Sequence, residues 1–338
     1  MTSIAARLRA CPIRAASPSV RWGVRALSTL PTTGPMRVRR SLLYIPGSSE
    51  KMLVKSRSVP ADTLVYDLED SVAEHRKGAA QGMVLQALYA APSDSSELSV
   101  RINAPSTQRA LAGSDLEVIL QSERLDAVVI PKCESVDDIT FVAQHIAQAH
   151  TSPSRPVSLI LSVESASCLV RLPTLLQEAQ ARLADEFRGA AAVAAVLFAS
   201  EDYCASTGVR RTRSRKGLLY PRAKMVTIAK AMGIEAIDMV CVEYKDQAYL
   251  KDECDEGAEL GFDGKQAIHP AQLDTIRRAF SPTEHDIEEA KAILAAYENA
   301  SRKQDKGAVG LDYGGRSIMI DAPMLLQAQR TLARAQGV

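Results

Sequence analysis

AAVLFASEDY, residues 194–203, is a run of small and apolar residues too short for an ordinary helix, and it halts at two carboxylates, Glu201 and Asp202. Flanked by an alanine-rich segment, it reads as a strand buried on both faces. Acids at the end of such a strand are costly unless a cation meets them. Upstream, SLILSVESA (158–166) repeats the design and presents Glu164. Two acids at neighbouring strand ends make a site for a hard divalent cation such as Mg2+.

Six more runs have strand length: RSLLYIP (40–46), TLVYDLED (63–70), LSVRIN (98–103), AVVIPK (127–132), IEAIDMV (234–240) and KQAIHP (265–270). Helical patterns such as DLEVILQS (115–122) and SVDDITFVAQHIAQA (135–149) alternate with them. Eight β-α units predict an α/β fold, a (β/α)8 TIM barrel over residues 39–280. An open doubly wound sheet is the alternative, but no GxGxxG turn follows the first strand. In a barrel all the strand C-termini share one face. Here that face would carry Tyr44, the Asp67/Glu69/Asp70 cluster, Arg101, Asn103, Lys132, Glu164, Glu201, Asp202, Asp238 and His269.

Residues 281–338 predict a small helical appendage. Ser281-Pro282-Thr283-Glu284 reads as a helix start with Ser281 as N-cap, and SIMID ends an extended piece at Asp321 before a final helix. The appendage is too small to fold alone and needs the barrel or a neighbouring subunit.

At the other end, the first 49 residues hold no Asp or Glu yet carry eight arginines, the composition of a mitochondrial transit peptide. Residues 1–38 are therefore expected to be a leader, cut near Leu27 or Ser28, with the mature chain in the mitochondrial matrix; a merely basic tail would look similar. Over the whole chain of 338 residues the net charge is +1, which suggests no nucleic-acid or acidic-membrane partner. The six cysteines have no CxxC spacing, and no apolar run reaches the length that spans a bilayer.

Several residues can carry chemistry, each with a plainer structural alternative. Glu164 and Asp202 suit Mg2+, or are salt-bridged acids. Asp67, Glu69 and Asp70 can orient metal-bound water, or form an ion-pair cluster. Arg101 offers a planar fork to a carboxylate or enolate oxygen, or neutralises those acids. Lys51 and Lys55, four apart after the turn PGSSEK, can meet phosphates or face solvent. The basic run RRTRSRK (210–216) contains no aromatic and reads as a solvated or ligand-covering loop. A lone histidine such as His269 is usually structural.

YIPG, DLEDSV, VRIN, IPKCES, SVES, ASEDY, LLYPRAKMVTIAKAMGIEAIDMV, GFDGKQAIHPAQ and SIMIDAPMLLQAQ occur in that order. Together they resemble the citrate lyase β-subunit-like family of the HpcH/HpaI aldolase superfamily, from about Arg40 to the C-terminus. The resemblance implies a homotrimeric Mg2+-dependent lyase that reversibly cleaves a 3-hydroxyacyl-CoA to acetyl-CoA and a 2-oxo acid. A citramalyl thioester is the first expectation. A malyl thioester, or hydrolysis of the condensed thioester, is the alternative within the class, and a non-catalytic acyl-CoA-binding subunit outside it. By the same resemblance Glu164 and Asp202 are the metal ligands, and Arg101 is a catalytic, substrate-binding arginine. Tyr44, Lys51, Lys55, Ile268 and His269 hold the CoA ester, and Asp321 is the acid/base, in its own or a neighbouring subunit. RRTRSRK departs from the more acidic loop usual in that family.

Overall fold

In a computed structural model, the chain is described over residues 37–92, 96–149, 155–301, 309–313 and 316–336. Apart from its last two residues, the expected leader lies outside them. Eight parallel strands close into a barrel in sequence order: β1 (Ser41–Pro46), β2 (Thr63–Asp67), β3 (Glu97–Arg101), β4 (Ala127–Ile130), β5 (Val157–Val163), β6 (Ala191–Phe198), β7 (Glu235–Asp238) and β8 (Gly264–Ala267). The helices between and after them are α1 (Glu50–Ser56), α2 (Lys77–Ala90), α3 (Arg109–Ile119), α4 (Val136–Ala149), α5 (Ala166–Glu186), α6 (Ser200–Thr207), α7 (Leu219–Met232), α8 (Gln247–Leu260) and α9 (Leu273–Ala279). This is the expected TIM barrel.

One boundary differs in a way that matters. The stretch 194–203 is not one strand, because β6 ends at Phe198 and α6 begins at Ser200, ending at Gly208 in the left-handed region (φ 73°). Glu201 and Asp202 thus open a helix, where acids in the first turn are favoured by the helix dipole.

Strand alternation sorts the side chains. Leu42, Val65, Ala127, Val129, Ile160, Ala195, Leu197 and Ile237 fill the barrel interior, while a larger apolar layer that includes Leu43, Leu64, Tyr66, Val100, Leu161 and Phe198 packs against the helices. Burying each valine, leucine, isoleucine or phenylalanine among them contributes about 1.5–3 kcal/mol. Asp238 follows Ile237 and so points outward, fully buried between Arg222 (two contacts of 2.9 Å) and Lys265. The expected place of Asp238 on the mouth is thereby corrected: the alternation sends it to the helix layer.

The opposite end of the barrel is closed by arginines. Arg39 is buried against Glu97, Glu235 and Ser158, and Arg40 donates to both oxygens of Asp62 at 2.8 Å. At the β1–β8 seam the chain passes so near Gly264 that a Cβ there would strike the carbonyl oxygens of Arg39 and Arg40.

Beyond the barrel lie α10 (Glu284–Ser301), an antiparallel pair β9 (Val309–Tyr313) and β10 (Arg316–Ile320), and α11 (Ala322–Gln336). The N-cap of α10 is Thr283, not Ser281. Thr283 Oγ1 accepts from Asp286 N at 3.1 Å and Asp286 accepts from Thr283 N at 2.8 Å, a capping box, while Ser281 Oγ is taken by Arg40 and the Arg277 carbonyl. Ile293 of α10, Ile320 of β10 and Ala328 of α11 form one buried cluster. Near the end of α11, Arg334 donates to the Phe280 and Asp263 carbonyls and fastens the appendage to the barrel.

Candidate active site

The interior rows of β1, β2, β3, β6 and β8 run on to the strand C-termini and line a cavity of about 450 Å3 there. Its wall includes Tyr44, Asp67, Asp70, Arg101, Ala199, Asp202, Val240, Gln266 and Ile268. Gln266 lies between strands, donating to the Phe198 and Asp238 carbonyls at 3.0 Å.

Arg101 is held from three directions. Its Nε and Nη2 donate to the two oxygens of Asp67 at 2.7 Å, its Nη1 lies 3.0 Å from Glu69 and 3.5 Å from Asp70, and its guanidinium sits 4.9 Å from the centre of the Tyr44 ring. Burial alone would raise the Asp67 carboxyl, but the two bonds from Arg101 outweigh it and hold the group below the usual carboxylate range. Glu69 goes the other way: burial pushes it up to about 7 despite Arg101 and Lys132. Burial likewise pushes the Tyr44 phenol up. Asp67 and Glu69 are buried, whereas Asp70 stands exposed at the rim.

Glu164 continues the interior row of Ile160 and Ser162 past the end of β5 and is buried. Its Oε1 accepts from the Lys132 N–H at 3.0 Å, and its Oε2, also buried, has no hydrogen-bond partner. Burial raises its carboxyl, and the nearby charge of Asp202 adds to that. The two acids read from the sequence are therefore neighbours, with one carboxylate oxygen left over.

Lys51 and Lys55 are exposed on α1. Ile268 borders the cavity, while His269 accepts from the Ala271 N–H as the cap of the 3₁₀ turn Pro270–Gln272 and stacks on Tyr244 at 5.0 Å. Asp321 is exposed and caps α11, accepting from Met324 N at 3.0 Å; it is not among the residues lining the cavity.

Two participants escape a reading by residue type. Lys132 joins the site through its main chain as well as its ammonium, which pairs with Glu69. Arg211 belongs to RRTRSRK, which is not a freely solvated loop: Arg211 reaches Glu201, Ser200 Oγ, the Val240 carbonyl and the buried Glu253. Arg213 and Arg215 pair with Asp246, Asp252 and Glu256 at the start and along the length of α8. The acidic residues of α8 spaced through 246–256 were the available signal.

Residues 40–270 match HpcH/HpaI aldolase/citrate lyase. The chain belongs to that family. The family description, aldolase and citrate lyase, and the lyases among its relatives make this chain a carbon–carbon lyase by class. Human mitochondrial citramalyl-CoA lyase is 35% identical over 89% of this chain and 86% of its own. The citrate lyase subunit beta of Escherichia coli K12 is 29% identical over 89% and 94%. Among solved structures, the Mycobacterium tuberculosis protein CitE in complex with magnesium, acetoacetate and coenzyme A superposes with a TM-score of 0.66, at 28% identity, covering 89% of this chain and all of that one. The family residues carry the barrel and its mouth, and the appendage follows them.

Proposed function

We propose that this family member is a Mg2+-dependent lyase that cleaves citramalyl-CoA reversibly to acetyl-CoA and pyruvate. The observation that carries the reading is the bare, buried Oε2 of Glu164 near Asp202. An oxygen so placed is costly unless a cation meets it, and Mg2+ takes one or two carboxylates and fills its other positions with water and substrate. Glu164 and Asp202 would hold it. Bound there, Mg2+ supplies Lewis acidity toward the substrate's carboxylate and 3-hydroxyl oxygens.

The protein's own groups do the rest. Arg101, pinned by Asp67 and Glu69 and backed by Tyr44, presents positive charge where the electron pair of the broken C–C bond collects on the thioester oxygen. Asp67, Glu69 and Asp70 keep that guanidinium in place. As the 3-hydroxyl releases its proton to solvent and its carbon becomes the ketone, Asp321 gives the acetyl methylene a proton, and in the synthetic direction removes it. Because Asp321 sits outside the mouth of its own chain, we assign this role to Asp321 of the partner subunit in a homotrimer. Tyr44, Lys51, Lys55, Ile268 and His269 hold the CoA ester along the rim. The names of the human relative and of the CitE complex support the substrate, the metal and the thioester. The mitochondrial relative also supports residues 1–38 as a leader to the matrix.

Acetyl-CoA and pyruvate are measured after mixing the chain with citramalyl-CoA or malyl-CoA, with Mg2+ or EDTA. Mg2+-dependent pyruvate release from the citramalyl thioester is expected, with Asp202→Ala lowering kcat at least about 100-fold. Release of free CoA without pyruvate, or full activity in EDTA, would sink the reading. Preference for malyl-CoA would move the substrate by one methyl group.

A further inference from the structure

Lys132 has φ of 46°, a left-handed backbone that a residue with a Cβ adopts at a cost. It lies just past β4, behind Pro131, and its carbonyl is held by Ser106 Oγ at 2.8 Å. In this conformation its N–H points at Glu164 Oε1, 3.0 Å away. Its ammonium meanwhile takes Glu69 Oε1. Glu164 is thereby engaged at one oxygen and its Oε2 is buried without a hydrogen-bond partner, whereas the second oxygen of Glu69 lies 3.0 Å from Arg101 Nη1.

We infer that Lys132 is a positioning residue whose left-handed main chain aims Glu164, anchoring Oε1 so that Oε2 faces the cation position. This deepens the proposed function and rests on Glu164 being a cation ligand. A glycine would satisfy the backbone with less strain. The ammonium on Glu69, beside Arg101, explains why a lysine stands there instead.

The test separates backbone from side chain. Mg2+ is titrated calorimetrically into the metal-free full-length chain carrying Lys132→Gly or Lys132→Val. Both variants lack the ammonium, and they differ in access to positive φ, which is open to Gly and closed to a β-branched residue. Lys132→Val is expected to bind Mg2+ at least about tenfold more weakly than Lys132→Gly. Equal affinities, or tighter binding by the Val variant, overturn the inference. Where circular dichroism finds the Val variant unfolded, Lys132→Ala replaces it with the same order expected. Glu164→Gln tests the reading beneath: if it binds Mg2+ like the wild type, the cation site is wrong. If it loses Mg2+ while the Gly and Val variants coincide, the site stands and the role of Lys132 falls.

Discussion

Arg101 and Asp67 sit in register on adjacent strands and meet fork to fork, each guanidinium nitrogen 2.7 Å from its own carboxylate oxygen. Asp67 also accepts from the N–H groups of Glu69 and Ser71, so a single carboxylate fixes both the arginine and the turn that carries the other acids. Removing it leaves a largely buried cation with fewer partners. Asp67→Ala should lower stability by about 3–5 kcal/mol, read by urea unfolding, and lower kcat/KM in parallel. Wild-type values for both would show that Arg101 is placed by something else.

Titration of these acids acts on stability in opposite directions. Glu69, raised by burial to about 7 from an ordinary 4.5, keeps its proton in the folded chain where the unfolded chain has lost it. Stability in EDTA should therefore fall as pH rises from 4.5 through 7, with a limiting slope of about 1.4 kcal/mol per unit. Asp67 and Asp238 are buried too, but their basic partners hold them below 3.8, so their contribution is present above that value and lost as pH falls beneath it. Thermal melts across pH should show Glu69→Gln reducing the slope in the first window, where Glu235, also pushed up to about 7 by burial, still contributes, and leaving the acid limb unchanged.

Arg211 bridges α6 to the end of β7 and to Glu253, and so steadies the helix that carries Asp202. Arg211→Met is expected to lower kcat/KM about 10- to 100-fold through misplacement of Asp202, with Arg211→Lys recovering part of it. Steady-state kinetics at saturating Mg2+ checks this; unchanged kinetics for Arg211→Met would return the loop to a covering role.

At the seam, Gly264→Ala should prevent barrel closure, because the added methyl meets main-chain oxygen on β1's approach rather than a side chain able to turn away. Soluble yield and circular dichroism report the outcome. A soluble variant with wild-type melting would mean that the seam can open.

The barrel was legible because eight apolar runs of strand length recur between helical patterns, and Glu164 was legible because it continues an inward-facing row. Asp202 borders the mouth as expected, but it opens α6 instead of ending β6. Asp238 was misplaced because a composition of strand ends ignores the parity set by Ile237. Ser281 was misread because its hydroxyl is claimed by Arg40, a contact 241 residues distant in sequence. Lys132 and Arg211 could be named only as charged residues. Their parts depend on a dihedral angle and on long-range partners that no local pattern encodes.

The arginines that close the far end of the barrel set a limit on how much of the basic N-terminus the folded chain can lose. Arg39 neutralises two interior glutamates and Arg40 locks onto Asp62, so these belong to the finished protein however similar they look to those before them. A trimming protease that removed Arg39 would strand Glu97 and Glu235 in the interior. Any removal of N-terminal sequence would thus have a hard downstream limit, imposed by the barrel itself.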